Sequence, residues 1–161
     1  MKTWITVFVA LFLATAATQA ADFGVFGSHW DPRDGDKALG VGGSAHFSTV
    51  PLELRVTVYP DTSIKGGGDS WLMPIDFGLA VSLTRAHRFG IYVGGGVSHY
   101  IIDADHGNPD NEFGWYVLAR LEVPIEHRLS VFVEAMHRRV EFDDIDADLR
   151  GATFNVGLIF R

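Results

Sequence analysis

The chain has 161 residues, no cysteine, and a formal net charge of −7 from 13 Lys and Arg against 20 Asp and Glu. That acidity argues against a nucleic-acid partner, and without cysteine there is neither a disulfide-stapled module nor an acylated lipoprotein. Glycine and phenylalanine are abundant, at 18 and 12 residues, and no long stretch has helical periodicity, so an all-β protein is expected.

Residues 1–20 read as a secretory signal. Lys2 supplies the positive charge, and Trp4 to Leu13 form an apolar run short of the roughly 20 residues a membrane helix needs. Thr18-Gln19-Ala20 places small residues before a cleavage point at Ala21, leaving 21–161 as one domain.

Eight segments of period two follow. The first, Asp22 to Trp30, is ambiguous because Phe23 and Val25 compete with Phe26 and Trp30 for the apolar face. The second carries Leu39, Val41, Gly43, Ala45 and Phe47, and the third Leu52, Leu54, Val56 and Val58. The fourth is the most regular, with Trp71, Met73, Ile75, Phe77, Leu79, Val81 and Leu83. Phe89, Ile91, Val93, Val97 and Ile101 mark the fifth; Phe113, Trp115, Val117, Ala119, Leu121, Val123 and Ile125 mark the sixth. Leu129, Val131, Val133 and Ala135 make the seventh. The eighth has Ala152, Phe154, Val156, Leu158 and Phe160, with only Ile159 breaking the alternation.

Connections alternate in length. Face parity asks for about two residues near Thr49-Val50 and about three each at Arg85-Ala86-His87 and Glu126-His127-Arg128, all within hairpin range. Asp31–Asp36, Asp61–Ser70, Asp103–Asn111 and Asp143–Arg150 are longer and polar. Short turns at one end and long loops at the other describe an eight-stranded antiparallel up-and-down transmembrane β-barrel, whose first and last strands meet.

The second face decides where the barrel sits. It carries Gly24, Gly40, Gly78, Gly94, Gly96 and Gly114 with Tyr59, Tyr92, Tyr100 and Tyr116, where a soluble barrel would present Lys, Glu and Thr to water. Small residues beside large ones suit a narrow filled interior. An interior ionic set is expected on this face, with Arg120 opposite Glu134 and His46 opposite Glu53, completed by Arg55, Asp76, Glu122 and Arg138. A secreted soluble lipocalin-like ligand-binding barrel is the alternative.

With its leader, the glycine-rich Tyr92-Val93-Gly94-Gly95-Gly96-Val97, Phe132-Val133-Glu134 and the C-terminal strand, the chain resembles the small eight-stranded Gram-negative outer-membrane barrels: the OmpA transmembrane domain, OmpX and the opacity-protein-like family. The resemblance implies residence in the Gram-negative cell outer membrane and reading of the last strand by the barrel-assembly machinery. Family members usually end on an aromatic residue, whereas here Arg161 follows Phe160.

Four chemistries have candidate residues in the chain. Asp103, Asp105 and Asp110 have the beginnings of a calcium-loop spacing but not its full ligand set. Lys37, Arg139, Arg150, His29 and His137 fall outward just beneath the long loops, where a basic patch meets membrane lipid and the phosphates of lipopolysaccharide. Adjacent Ser98 and His99 point to opposite faces, which disfavours an outer-leaflet lipid A-modifying enzyme. A narrow or gated pore is restrained by the crowded interior. The expectation is a monomeric outer-membrane barrel with a non-enzymatic envelope role, structural, lipopolysaccharide-binding or interacting through its acidic loops, with no cofactor and no catalytic residue.

Overall fold

The computed structural model describes residues 21–47, 50–64, 68–86, 89–104, 111–142 and 147–161; the expected leader lies outside them. The strands in order are β1 (Ala21–Pro32), β2 (Ala38–Phe47), β3 (Leu52–Ile64), β4 (Gly68–Ala86), β5 (Phe89–Ala104), β6 (Glu112–Glu126), β7 (Leu129–Arg139), β8 (Glu141–Phe142), β9 (Ala147–Asp148) and β10 (Gly151–Phe160). A closed barrel runs β1-β10-β7-β6-β5-β4-β3-β2, and β8 pairs with β9 in a separate ribbon. All barrel pairs are antiparallel, and β10 joins the wall between β7 and β1, from Phe23↔Phe160 to Pro32↔Gly151. Closure removes the exposed sheet edges that would otherwise template aggregation.

The connections correct three expectations. β4 ends at Ala86 with β5 starting at Phe89, and β6 ends at Glu126 with β7 starting at Leu129, so each link has two residues rather than about three. Register shifts at Ser82/Thr84 and Pro124/Glu126 supply the missing residue inside the strand. A bulge inverts side-chain parity as an extra loop residue would, so the apolar faces still agree. Phe47 to Leu52 is four residues instead of about two, an even number that leaves parity unchanged. Three of the long loops are also shorter than expected, whereas the link from Arg139 to Gly151 is longer than Asp143–Arg150 and carries β8 and β9. β4 has 19 residues and β5 has 16, more than the roughly 9–11 that cross a bilayer, so both project beyond it at the long-loop end.

The two faces separate cleanly: Val156 is 58% exposed whereas Asn155 beside it is 1% exposed. Leu39, Val41, Phe77, Val97, Val117 and Val133 continue the apolar outer wall around the barrel. An apolar surface of this extent belongs in lipid, where only helices and closed barrels satisfy their own backbone hydrogen bonds. Together with the packed interior described below, it rules out the lipocalin-like alternative.

The ambiguous first segment is settled by space. Val25 faces out, and Phe26 and Trp30 are buried. Phe26 fits because its neighbours lack side chains: a Cβ on Gly42 would lie 2.4 Å from the Phe26 ring, and one on Gly157 2.6 Å from Phe26 Cβ. Ile159, the exception in the last strand, turns inward to join Phe26 and Phe132. On β5, a Cβ on Gly96 would stand 2.2 Å from the Phe77 carbonyl oxygen and 2.5 Å from Gly78 Cα, whereas one on Gly27 would meet nothing within 4 Å.

Two outcomes follow for the barrel folded in lipid vesicles and titrated with denaturant. Gly96→Ala lowers stability by about 1–3 kcal/mol through overpacking, while Gly27→Ala stays within about 0.5 kcal/mol of the parent. Val133→Arg, near the middle of the outer wall, costs about 2–4 kcal/mol if that wall faces lipid; an unchanged midpoint would refute the orientation.

Candidate functional site: the filled lumen and the charged rim

The alternation that points valines outward points ionic side chains into the lumen. Register places Arg120 opposite Glu134 and His46 opposite Glu53, as their spacing predicts. Across the barrel, Arg55 on β3 grips Glu134 on β7 with both ends of its guanidinium, Nη1 to Oε1 at 2.5 Å and Nη2 to Oε2 at 2.9 Å. Arg120 donates from Nε to Glu134 Oε2 at 2.8 Å and from Nη2 to Glu134 Oε2 and Glu53 Oε1, each at 2.6 Å. Arg55 also contacts Glu53 through Nη2, and Asn155 donates to Glu134 Oε1 at 2.7 Å. Arg55, Arg120, Glu53 and Glu134 are all buried. Withdrawing such ions from water costs several kcal/mol each, which only this density of charge-assisted hydrogen bonds offsets.

Aromatic rings support the cations from behind. The Arg55 guanidinium lies 5.2 Å from the Phe26 centroid, Arg120 lies 5.1 Å from Phe132, and Arg138 lies 5.9 Å from Trp30. Placed over ring faces, the cations gain attraction without competing acceptors. These partners are not legible from alternation, because Phe26 and Trp30 sit in the one segment whose face is ambiguous and Phe132 reads only as an interior hydrophobe.

The expected ionic set divides into levels. Arg138 pairs with Asp76 at 3.1 Å above the Arg55–Glu134 layer, and Ser98 donates to the other Asp76 oxygen at 2.6 Å. Glu122 belongs to neither group. It meets Arg161 at the short-turn mouth, where Arg161 also reaches Asp22 at 3.4 Å and donates to Ser130 Oγ at 2.6 Å. Arg161 thus ties β1, β6 and β7 together from inside. The polar character of Arg161 after an apolar run is the only sequence signal for that contact.

Above the ions, the long-loop end is filled with hydrophobes. Trp30, Tyr59, Leu72, Tyr100, Ile102, Val140, Phe142 and Leu149 form one buried cluster. Trp30 stands 5.4 Å from Tyr59, and Tyr100 packs edge-on to Phe142 at 6.3 Å. Phe142 belongs to β8, just before the stretch expected to be loop, and Ala147 to β9 within it; the ribbon folds over the opening because its apolar side chains have no other burial. Backbone bonds of 2.9 Å hold the loop after β1 to its neighbours, from Arg33 to Arg150 beside the ribbon and from Asp36 to Ser63 on β3. At the opposite end a cavity of about 290 Å³ opens between Phe47, Val81, Tyr92 and Ile159, and Arg120 and His46 also line it.

At the rim, β7, β10, β1 and β2 are consecutive around the wall, which brings Arg139, Arg150, His29 and Lys37 onto neighbouring strands or their ends. The patch is not purely basic. Lys37 lies 3.2 Å from Asp31, Arg150 lies 2.9 Å from Asp148, and Arg139 contacts Glu141 with Asp148 at 3.9 Å. His137 packs 5.8 Å from the Trp115 ring, and His29 sits between Leu39 and Phe154 in register. Asp103 is exposed near the end of β5; Asp105 and Asp110 lie outside the described residues. Among the described residues no group of three or more His, Asp or Glu has metal-binding geometry.

No curated protein matches the sequence. Among solved structures, neisserial surface protein A superposes with a TM-score of 0.65 at 13% identity, covering 87% of this chain and 94% of that one. The outer-membrane protein OprG of Pseudomonas aeruginosa gives 0.65 at 12% identity over 88% and 96% of the two chains. The N-terminal β-barrel domain of OprF from the same organism gives 0.52 at 17% identity over 87% and 96%. At such identities these likenesses speak for the fold, and the family comes from the sequence match to the outer membrane protein beta-barrel domain over residues 6–161. Its closed, apolar-walled barrel therefore has its setting: the chain belongs to the outer-membrane β-barrel family and resides in the outer membrane.

Proposed function

We propose that the barrel is a closed, non-enzymatic envelope protein whose long-loop rim binds lipopolysaccharide. The observation that carries this reading is a lumen filled at two levels, by the Arg55–Glu134–Arg120–Glu53 plug and by the aromatic cluster under the β8–β9 ribbon. Outer-membrane barrels keep short turns in the periplasm and longer loops outside, so the aromatic level faces the exterior and the 290 Å³ cavity the periplasm.

The filled lumen and the placement of Ser98 and His99 disfavour a pore and an enzyme. A solute would have to pass both levels. Ser98 is buried and committed to Asp76 inside the barrel, while the His99 ring packs against Phe113 at 4.7 Å on the outer wall, so they are not a nucleophile and its base.

Magnitudes favour lipid phosphate over the acids that now hold the rim cations. The side chains of Lys37, Arg139 and Arg150 are 68%, 41% and 40% exposed. Ion pairs that open to solvent contribute about 0–1 kcal/mol, whereas a hydrogen bond to a charged group contributes about 1.5–3 kcal/mol and Arg offers phosphate two. His137 and Trp115 beside Arg139 add the ring-and-cation combination suited to the membrane interface.

Two measurements test the proposal. Replacing Lys37, Arg139 and Arg150 together by Ala reduces co-purified lipopolysaccharide by about tenfold, equivalent to about 1.4 kcal/mol, with the heat-induced gel shift of the folded barrel retained. Unchanged lipopolysaccharide content removes the rim from the account. In planar bilayers the purified protein passes no steady current. Glu134→Ala strands two buried guanidiniums and lowers stability by about 3–5 kcal/mol, yet stays closed because the aromatic level is intact. Steady current through the parent barrel would overturn the closed reading.

A further inference from the structure

The floor of the periplasmic cavity holds a contact that no single protonation state satisfies. His46 Nε2 lies 2.8 Å from Glu53 Oε2 and also touches Arg120 Nη1. An imidazole nitrogen either carries hydrogen and donates or presents a lone pair and accepts. Arg120 is always a donor, so toward it Nε2 must be bare; Glu53, when ionised, is always an acceptor, so toward it Nε2 must be N–H. Apart from this contact Glu53 Oε2 is buried and has no hydrogen-bond partner among the described residues, because both arginines use Oε1.

The surroundings sharpen the conflict. His46 faces Asp22 across β1, Glu53 and Arg55 on β3, Arg120 and Glu122 on β6, and Glu134 behind Arg120 on β7. Tyr92 on β5 lines the same cavity, and Arg161 beyond β10 binds Asp22 and Glu122. Four carboxylates (Asp22, Glu53, Glu122, Glu134) therefore face three guanidiniums (Arg55, Arg120, Arg161), and an imidazolium makes the count even. The His46 side chain is 17% exposed, against 1% for both Arg120 and Glu53, so among these three it is the one water reaches.

We propose that His46 is a proton-operated switch on the ionic plug, addressed from the periplasmic cavity. The neutral ring accepts from Arg120 Nη1 and caps it. The protonated ring donates to Glu53 Oε2 and releases Arg120 Nη1 to the cavity. Arg120 keeps its Nε and Nη2 bonds to Glu134 and Glu53 in both arrangements, and the aromatic level lies beyond reach. The switch therefore loosens one corner of the plug and hydrates it without opening the lumen.

The test is nitrogen-resolved NMR of the labelled barrel in lipid particles, with the pH lowered stepwise through the protonation of the ring. His46 Nε2 passes from an unprotonated acceptor to a protonated donor. Over the same interval, water exchange of the Arg120 Nη hydrogens, divided by that of Arg55 to cancel the intrinsic effect of pH, rises about tenfold. His46→Gln has an amide that donates and accepts from separate atoms, so in that variant the ratio stays flat. A constant ratio in the parent, or the same rise in the Gln variant, overturns the proposal. The parent measurement decides the matter even if the variant does not fold.

Discussion

Everything inside this barrel depends on Glu134. Its two oxygens take both ends of Arg55, two nitrogens of Arg120 and the amide of Asn155, so one carboxylate joins β3, β6 and β10 to β7. Eight strands close on a lumen barely wide enough for side chains, leaving no water layer to screen charge there. A buried guanidinium in that setting needs many partners, and the plug supplies most of them by having each acid serve two cations, leaving Arg55 Nε without one among the described residues. Such a plug does not have to add much net stability. Its energetic signature is asymmetric: complete it is near neutral, and broken anywhere it is costly.

That asymmetry explains the choice of neighbours. Guanidinium planes are backed by Phe26, Phe132 and Trp30 rather than by further polar groups that would compete for their hydrogens. Glycines opposite those rings make the room, since Gly42 and Gly157 sit where any Cβ would collide with Phe26. The glycine content that first suggested a β-barrel is thus tied to the charges through ring size and lumen width.

The two ends are built for different surroundings. Outside, the β8–β9 ribbon buries Phe142 and Ala147 with Leu149 and, with its flanking residues, presents Asp, Glu and Arg at the rim, giving a dry cap under a charged surface. On the periplasmic side the cavity reaches in to His46, and Arg161 bridges the mouth between Asp22 and Glu122. A proton or small ion from the periplasm can reach the plug; from the exterior, the buried hydrophobic cluster stands in the way.

Alternation determined the barrel, its eight wall strands and the pairs Arg120–Glu134 and His46–Glu53, because side-chain period in a strand is strictly two and antiparallel register follows from turn parity, and the composition of the second face then marked the apolar one as lipid-facing. The rest needed the tertiary structure. Where bulges at Ser82/Thr84 and Pro124/Glu126 replaced a loop residue, parity was the same and the sequence could not tell them apart. The inward turn of Phe26 and Trp30 was decided by glycines on β2 and β10, and by ring contacts with β3. The reach of Arg55 to Glu134, 79 residues away across the lumen, was set by barrel closure, as was the separation of Glu122 from the set it was expected to join. Contacts along a strand pair are written in the chain's local period, but contacts across the lumen exist only once the last strand meets the first.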